Sequence, residues 1–450
     1  MLGFPAKPKH GAGWRRFVPE KLTCVYAARR LTFTEIRPQW SKTIIRSNRR
    51  EGLNMDVATL LPPGKTTATD LMQLAQLSDV MLQKIRDEML EPFPRKVPPS
   101  ISSTRLQEMC GIDKQRMSYV LKKGERPVGN QTKAGAQRSF SVEDTIAWVK
   151  AELKPSPRKG PAKVIVVANF KGGVTKTTTS TLLAQGLAMR RGRRVLHIDL
   201  DPQGSATTLY GINPHAEVDS SQTVMPLIEA YLADQSFDMK SLPIPSYWPN
   251  VDIIPSSTEL FNAEFMLPAR ASATDQDVRF EQVLHDGLEQ LKDAYDYIII
   301  DTAPTLSYLT INAVFAADGV IVPVVPDMLS FASMVQFWHL FADLINGMKA
   351  FGDERSKEFD FVDVLVTRMT SKPAAQILQG WITQIYGSRV VPIEIPETDL
   401  ARNTNMRFST FYDLATSDVG AETLRRIRNP LDQLVDRVDD KVSAHWTRGS

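Results

Sequence analysis

Seven runs of almost unbroken apolar residues lie in the C-terminal two-thirds of the chain, and they restrict its fold more than any other feature. They are "KVIVVANF", "RRVLHIDLD", "VDIIPSS", "YDYIIIDTAP", "DGVIVPVVP", "FVDVLVT" and "RVVPIEIP", and helical stretches separate them. Continuous rather than alternating apolarity describes strands covered on both faces. Strands interleaved with helices then predict an α/β fold, a doubly wound and mostly parallel sheet over residues 163–450.

The region before this sheet reads differently. Residues 1–54 carry twelve Lys/Arg against three Asp/Glu, although the whole chain has a net charge of only +3. Such a segment is either a basic arm that contacts nucleic acid or upstream translation ahead of a start at Met55. It lacks the continuous apolar stretch of a signal peptide. In residues 55–98, Leu71, Leu74, Leu77, Met81, Ile85 and Met89 recur at helical spacing. That stripe needs cover, either from its own domain or, as a dimerisation element, from a second subunit.

Residues 99–153 read as an α-helical, winged helix-turn-helix unit. A first helix in "SSTRLQEMCGI" is capped by Ser or Thr and turns at Gly111, and a second starts at an Asp113 N-cap. A basic wing follows, then a helix with a Ser141/Asp144 capping box. The second helix carries Gln115, Arg116, Tyr119, Lys122 and Lys123, as a DNA-reading helix would. Proline-rich residues 154–162 make a linker. No uninterrupted run of about 18 apolar residues occurs, so no membrane span is expected. Cys24 and Cys110 are too few for a disulfide framework or a four-ligand metal site, which makes the cytosol the default compartment.

After the first apolar run comes "NFKGGVTKTTTS", residues 169–180. A triphosphate needs several backbone N–H groups aimed at one point, a positive helix end and a mobile cation. Gly172, Gly173, Val174, Thr175, Lys176, Thr177 and Thr178 supply these in order, with Lys176 for the β- and γ-phosphates and the Thr177 hydroxyl for Mg²⁺. Strict Walker A spacing would place glycine at positions 170 and 175, where Phe170 and Thr175 stand. Nucleotide binding is expected to survive even so. Asp199 and Asp201, two apart at a strand end, are expected on one side. Asp301 ends "YIIID" where a Walker B carboxylate holds Mg²⁺. With a reference pKa of about 3.9, Asp201 would orient the attacking water and accept its proton late.

The ordered set "KGGVTKTT", "DLDPQGSAT", "IIIDTAPTLSYLTINAVFAAD" and "IVPVVPDMLSFASM" resembles the deviant Walker A ATPases of the ParA/MinD group, most closely the ParA partition ATPases, over about residues 161–430. The resemblance implies that Lys171 reaches across a nucleotide sandwich homodimer to the partner's phosphates, which makes Lys171, Lys176 and Asp201 the catalytic set. It places the adenine pocket at Thr367, Arg368, Pro396 and Glu397, the Mg²⁺ ligands at Thr177, Asp199 and Asp301, and the short "FYDLATSD" motif near the C-terminal helix. Its longer members also carry an N-terminal helix and a helix-turn-helix. The implied function is ATP-dependent DNA segregation, cytoplasmic and nucleoid-associated, stimulated by a ParB-like centromere-binding protein, with repression of its own operator. Non-specific DNA would meet Arg402, Arg407, Arg425, Arg426 and Arg428.

Two alternatives stay open, a nucleotide-controlled transcription regulator without catalysis and a MinD-like membrane-associated ATPase. The acid-rich "LDQLVDRVDDKVSAHW" argues against the second, because anionic lipid would repel it.

Overall fold

A computed structural model of the chain describes residues 66–89, 96–131, 138–273, 279–350, 357–398, 408–415 and 419–448. The basic extension 1–54, Arg402 and Arg407 lie outside them. The chain divides into a unit of residues 1–77 and a second of 78–450.

Helix α1 (Ala68–Met89) begins in the first unit, where Thr67 and Asp70 cap it reciprocally: the Thr67 amide donates to Asp70 Oδ2 at 2.6 Å and the Asp70 amide to Thr67 Oγ1 at 3.3 Å. Leu71, Leu74 and Met81 of its apolar stripe are exposed.

The second unit opens with β1 (Ile101–Ser102), α2 (Ser103–Cys110) and α3 (Lys114–Lys123). Strands β2 (Asn130–Gln131) and β3 (Arg138–Phe140) complete a small antiparallel sheet ahead of α4 (Val142–Leu153). The expected caps are present. Ser102 accepts from the Arg105 amide, Asp113 from the Arg116 amide, and Ser141 with Asp144 forms the capping box. Gly111 closes α2 at φ 64°, a left-handed turn that suits glycine.

All seven apolar runs become strands: β4 (Lys163–Val167), β5 (Val195–Asp199), β7 (Val251–Ile254), β8 (Tyr297–Asp301), β9 (Gly319–Val324), β10 (Phe361–Met369) and β11 (Val390–Pro396). They lie parallel in the order β11-β10-β9-β4-β8-β5-β7, and the short β6 (Ile244–Pro245) adds an antiparallel edge that the sequence reading did not contain. In chain order the helices around the sheet are α5 (Lys176–Arg191), α6 (Ser205–Leu209), α7 (Met225–Leu232), α8 (Ala263–Ala273), α9 (Val283–Glu289), α10 (Tyr308–Ala316), α11 (Met328–Ala350), α12 (Pro373–Tyr386) and α13 (Ala421–Arg448). Alternate strand residues feed two cores. Ile165, Val167 and Ile299 join α4, α5 and α13, whereas Val164, Val166 and Ile300 join α9, α10 and α11.

Helix α5 meets α13 so closely that a Cβ at Gly186 would lie 2.4 Å from Val435 Cγ2. The acidic character of α13 is not a solvated face. Asp432, Asp436 and Asp439 pair with Arg190, Arg191 and Arg193, and Arg105 of α2 also pairs with Asp432. The lipid-repulsion argument from that acidity is weakened accordingly. Residues Met328–Gly347 of α11 are long and apolar enough to cross a bilayer by length and composition, contrary to the expectation of no such segment. Met334, Phe337 and Phe341 are nevertheless buried within the protein.

Candidate nucleotide site

The loop between β4 and α5 has the shape a triphosphate requires. Gly173 takes φ 76°, and Thr175, at the α5 N-cap, takes φ 72°. A β-branched residue in the left-handed region is strained, so position 175 keeps the backbone of the expected glycine without the glycine. Replacing it should relieve strain of about 1–3 kcal/mol, less the extra chain entropy of glycine. Thr175→Gly is expected to gain about 1 kcal/mol in denaturant unfolding, and a loss of stability would show that the threonine side chain contributes more than its strain costs. Phe170, the other departure, packs its ring 4.8 Å from that of Phe337 and ties the loop to α11. Val174 is buried, and its carbonyl accepts from Thr367 Oγ1 at 3.3 Å. Lys176 is only 7% exposed, and its ammonium donates to the Lys171 carbonyl at 3.1 Å across the loop.

Strands β5 and β8 run side by side, so Asp199 and Asp301 stand opposite each other at their ends. Burial pushes the Asp199 carboxyl up to about 7 despite its bonds from Thr207. Its Oδ2 accepts from the Thr207 amide and hydroxyl, both at 2.8 Å, and its Oδ1 from the Asp201 amide at 3.2 Å. Asp201 lies beyond the strand end, so a turn brings it beside Asp199 and the shared-strand-face reasoning is corrected. Asp301 is fully buried, and neither of its carboxylate oxygens has a hydrogen-bond partner among the described residues. Burial and then Asp199 push it well up, while the neighbouring Thr177 hydroxyl and Lys176 ammonium pull it partly back. A carboxyl buried in so dry a site can carry its negative charge only where a cation meets it. Asp301 with Thr177 fits a magnesium ion, whereas Asp199 is committed to holding the 201–207 turn. Burial also holds the Lys176 ammonium below the usual lysine range, opposed by Asp301 and then Asp201.

The phosphate loop and Asp201 open onto one cleft of about 1320 Å³, and Asp199 and Asp301 lie buried behind its lining. Gly172, Gly173, Thr175, Lys176, Thr177, Thr178 and Asp201 line it, and so do Thr367, Arg368, Pro396 and Glu397. The loop residues expected around adenine are thus brought to the same cavity as the phosphate loop. Arg368, at φ 51°, pairs with Glu397 at 2.7 Å; both are nearly half exposed, so the pair contributes little to stability. Phe408, Thr410, Phe411 and Arg426 line the cleft as well and were not expected there. "FYDLATSD" was the only sequence signal near them. Lys171 does not line the cleft. Its ammonium donates to Ser330 Oγ at 2.7 Å and meets Asp327 Oδ1 at 3.4 Å.

Of the residues expected to meet DNA, Gln115, Arg116, Tyr119, Lys122 and Lys123 are all exposed on α3, while Met117 and Val120 turn inward. Arg116 is held by Glu152 at 3.2 Å, and Lys123 lies 4.8 Å over the Tyr119 ring. Arg425 and Arg426 are exposed. Arg428 is corrected. Its guanidinium donates to the carbonyls of Phe411, Tyr412 and Leu414, and burial brings its pKa down to about 10, so it fastens the 411–414 turn rather than facing solvent.

Comparison with known proteins agrees with this geometry. A model of the AAA domain family matches residues 162–350. A Rhizobium rhizogenes protein provisionally named replication protein A is 30% identical over 326 residues, which span 70% of this chain and 80% of that protein. Protein SopA of Escherichia coli strain K12 is 32% identical over 255 residues, 56% of this chain and 63% of SopA. A solved structure described as a partition protein superposes with a TM-score of 0.57 over 85% of this chain and 99% of its own, and at 18% identity it speaks to the fold alone. The chain belongs to the ParA/MinD family of deviant Walker A ATPases.

Proposed function

We propose that this protein is an ATP-dependent DNA-segregation ATPase of the ParA type, switched by a nucleotide sandwich homodimer. The observation that carries the reading is the fully buried Asp301 carboxyl beside Lys176 and Thr177, behind the glycine loop. Loop amides and the α5 N-terminus cradle the phosphates, and Lys176 meets the charge of the terminal ones. Thr177 and Asp301 would hold Mg²⁺, which when bound would supply charge neutralisation for the phosphates. Asp201 orients the attacking water and takes its proton late. Thr367, Arg368, Pro396 and Glu397 enclose the base. Lys171 serves the partner's site, so that complete catalysis depends on pairing.

The closed dimer would bind nucleoid DNA without sequence preference through Arg425 and Arg426, together with Arg402 and Arg407. The exposed face of α3 would read an operator and repress the chain's own genes. A ParB-like centromere-binding partner would stimulate hydrolysis and release. Such a protein would act in the cytoplasm, on the nucleoid.

The test is DNA binding with ADP, ATP and a non-hydrolysable analogue, on operator and random DNA, at several salt concentrations. Random DNA should be held with the analogue and released with ADP. Affinity should fall roughly a thousandfold between 50 and 200 mM salt if about six phosphates are contacted. Binding that ignores the nucleotide would overturn the switch. Absence of DNA-stimulated turnover would favour a regulator without catalysis.

A further inference from the structure

Lys96 was assigned no role by its sequence, yet it sits at a densely hydrogen-bonded polar centre beside the cleft. Its side chain is 8% exposed. The ammonium's three N–H groups are met by the Leu209 carbonyl, the Phe408 carbonyl and Asp413 Oδ2, each at 2.9 Å, and the Tyr247 hydroxyl lies 3.3 Å away. Tyr247 in turn donates to Asp413 Oδ1 at 2.6 Å and accepts from Gln185 of α5 at 2.8 Å. Thr410 closes the circuit, its amide donating to Asp413 at 2.7 Å and its hydroxyl to Gln185 at 2.8 Å. One cation thus joins the end of α6, the Tyr247 loop and the 408–413 wall of the cleft.

That wall stands away from the phosphates. Gln185 lies nine residues along α5 from Lys176, about 14 Å at the rise of an α-helix. Leu209, Phe408, Thr410 and Phe411 line the same cleft as Thr367, Arg368, Pro396 and Glu397, the residues proposed above to enclose the base.

We infer that Lys96 is a positioning residue for nucleotide affinity, which holds the Phe408–Phe411 wall against the base end of the cleft. This rests on the nucleotide reading of the cleft proposed above. A buried ammonium shared by two carbonyls, a carboxylate and a phenol cannot be replaced by a neutral side chain without freeing the loop. Because Lys96 belongs to the segment running into β1, the wall is also fastened to the start of the α2–α3 module.

The experiment measures binding and turnover for Lys96→Met and Lys96→Arg in the full chain, with ATP and with inorganic tripolyphosphate. For Lys96→Met the KM and Kd for ATP should rise about tenfold, as expected for loss of a charged hydrogen-bond centre, with kcat at saturating ATP falling no more than about threefold. Tripolyphosphate affinity should stay near that of the unmodified protein, and arginine should restore most of the ATP affinity. A general loss of structure would instead weaken both ligands alike, and that result overturns the inference. So does a folded Lys96→Met protein with unaltered ATP affinity. If Lys96→Met does not fold, Asp413→Asn carries the same split between ATP and tripolyphosphate. An unmodified protein that binds neither ligand would refute the nucleotide reading itself.

Discussion

Lys176→Ala loses ATP binding by at least about a hundredfold, the cost expected when one partner of a desolvated charge contact is truncated. The side chain is 7% exposed and lines the cleft, so solvent does not replace it. Its ammonium is also the nearby positive charge that Asp301 and Asp201 feel. Without it, the Asp301 carboxyl loses a charge that favours its ionised form and moves further in the direction burial already pushes it. A protonated Asp301 is a poor ligand for magnesium, so the variant should lose the metal contribution together with the phosphate contact. Titration calorimetry with Mg-ATP reads both effects in one experiment. Unchanged affinity in the folded variant would refute the assignment of residues 172–178 as the phosphate loop.

The chemistry at this end of the sheet was legible because it depends on local order. The seven apolar runs become the seven parallel strands since each is buried on both faces, and burial of that kind leaves a continuous signature. Caps at Ser102, Asp113 and Ser141 were legible for the same reason, their partners being three residues away. Strand β6 carried no such signal, being two residues long, at an edge, and containing Pro245. Lys96 could not be found either. Its partners Leu209, Tyr247, Phe408 and Asp413 are 113 to 317 residues distant, and nothing local marks a lysine that tertiary packing will bury. Arg428 shows the converse. A run of arginines reads as a basic surface, but the backbone carbonyls of residues 411–414 claim one of them.

Lys171→Ala should separate binding from turnover. Lys176 lines the cleft of its own chain and Lys171 does not, although both stand in the same short loop. The Lys171 ammonium is held by Ser330 and Asp327, and its side chain is 27% exposed beside an Asp327 side chain 46% exposed. A pair so accessible to water is worth no more than about 1 kcal/mol, so a phosphate can draw the lysine away at small cost. Removing it should change the ATP affinity of a single copy by less than about threefold, because the alanine variant forfeits only a contact of that size. Hydrolysis should fall about a hundredfold or more, comparable to losing one positive group that stabilises developing charge. Dimer formation with a non-hydrolysable analogue, followed by light scattering, should weaken in parallel. The two lysines then differ in kind, since position 176 governs whether nucleotide is held and position 171 whether holding it leads to pairing and cleavage. Full turnover in the Lys171→Ala protein, or a nucleotide-loaded wild-type chain that stays monomeric, would remove the second copy from the mechanism and leave a switch within one chain.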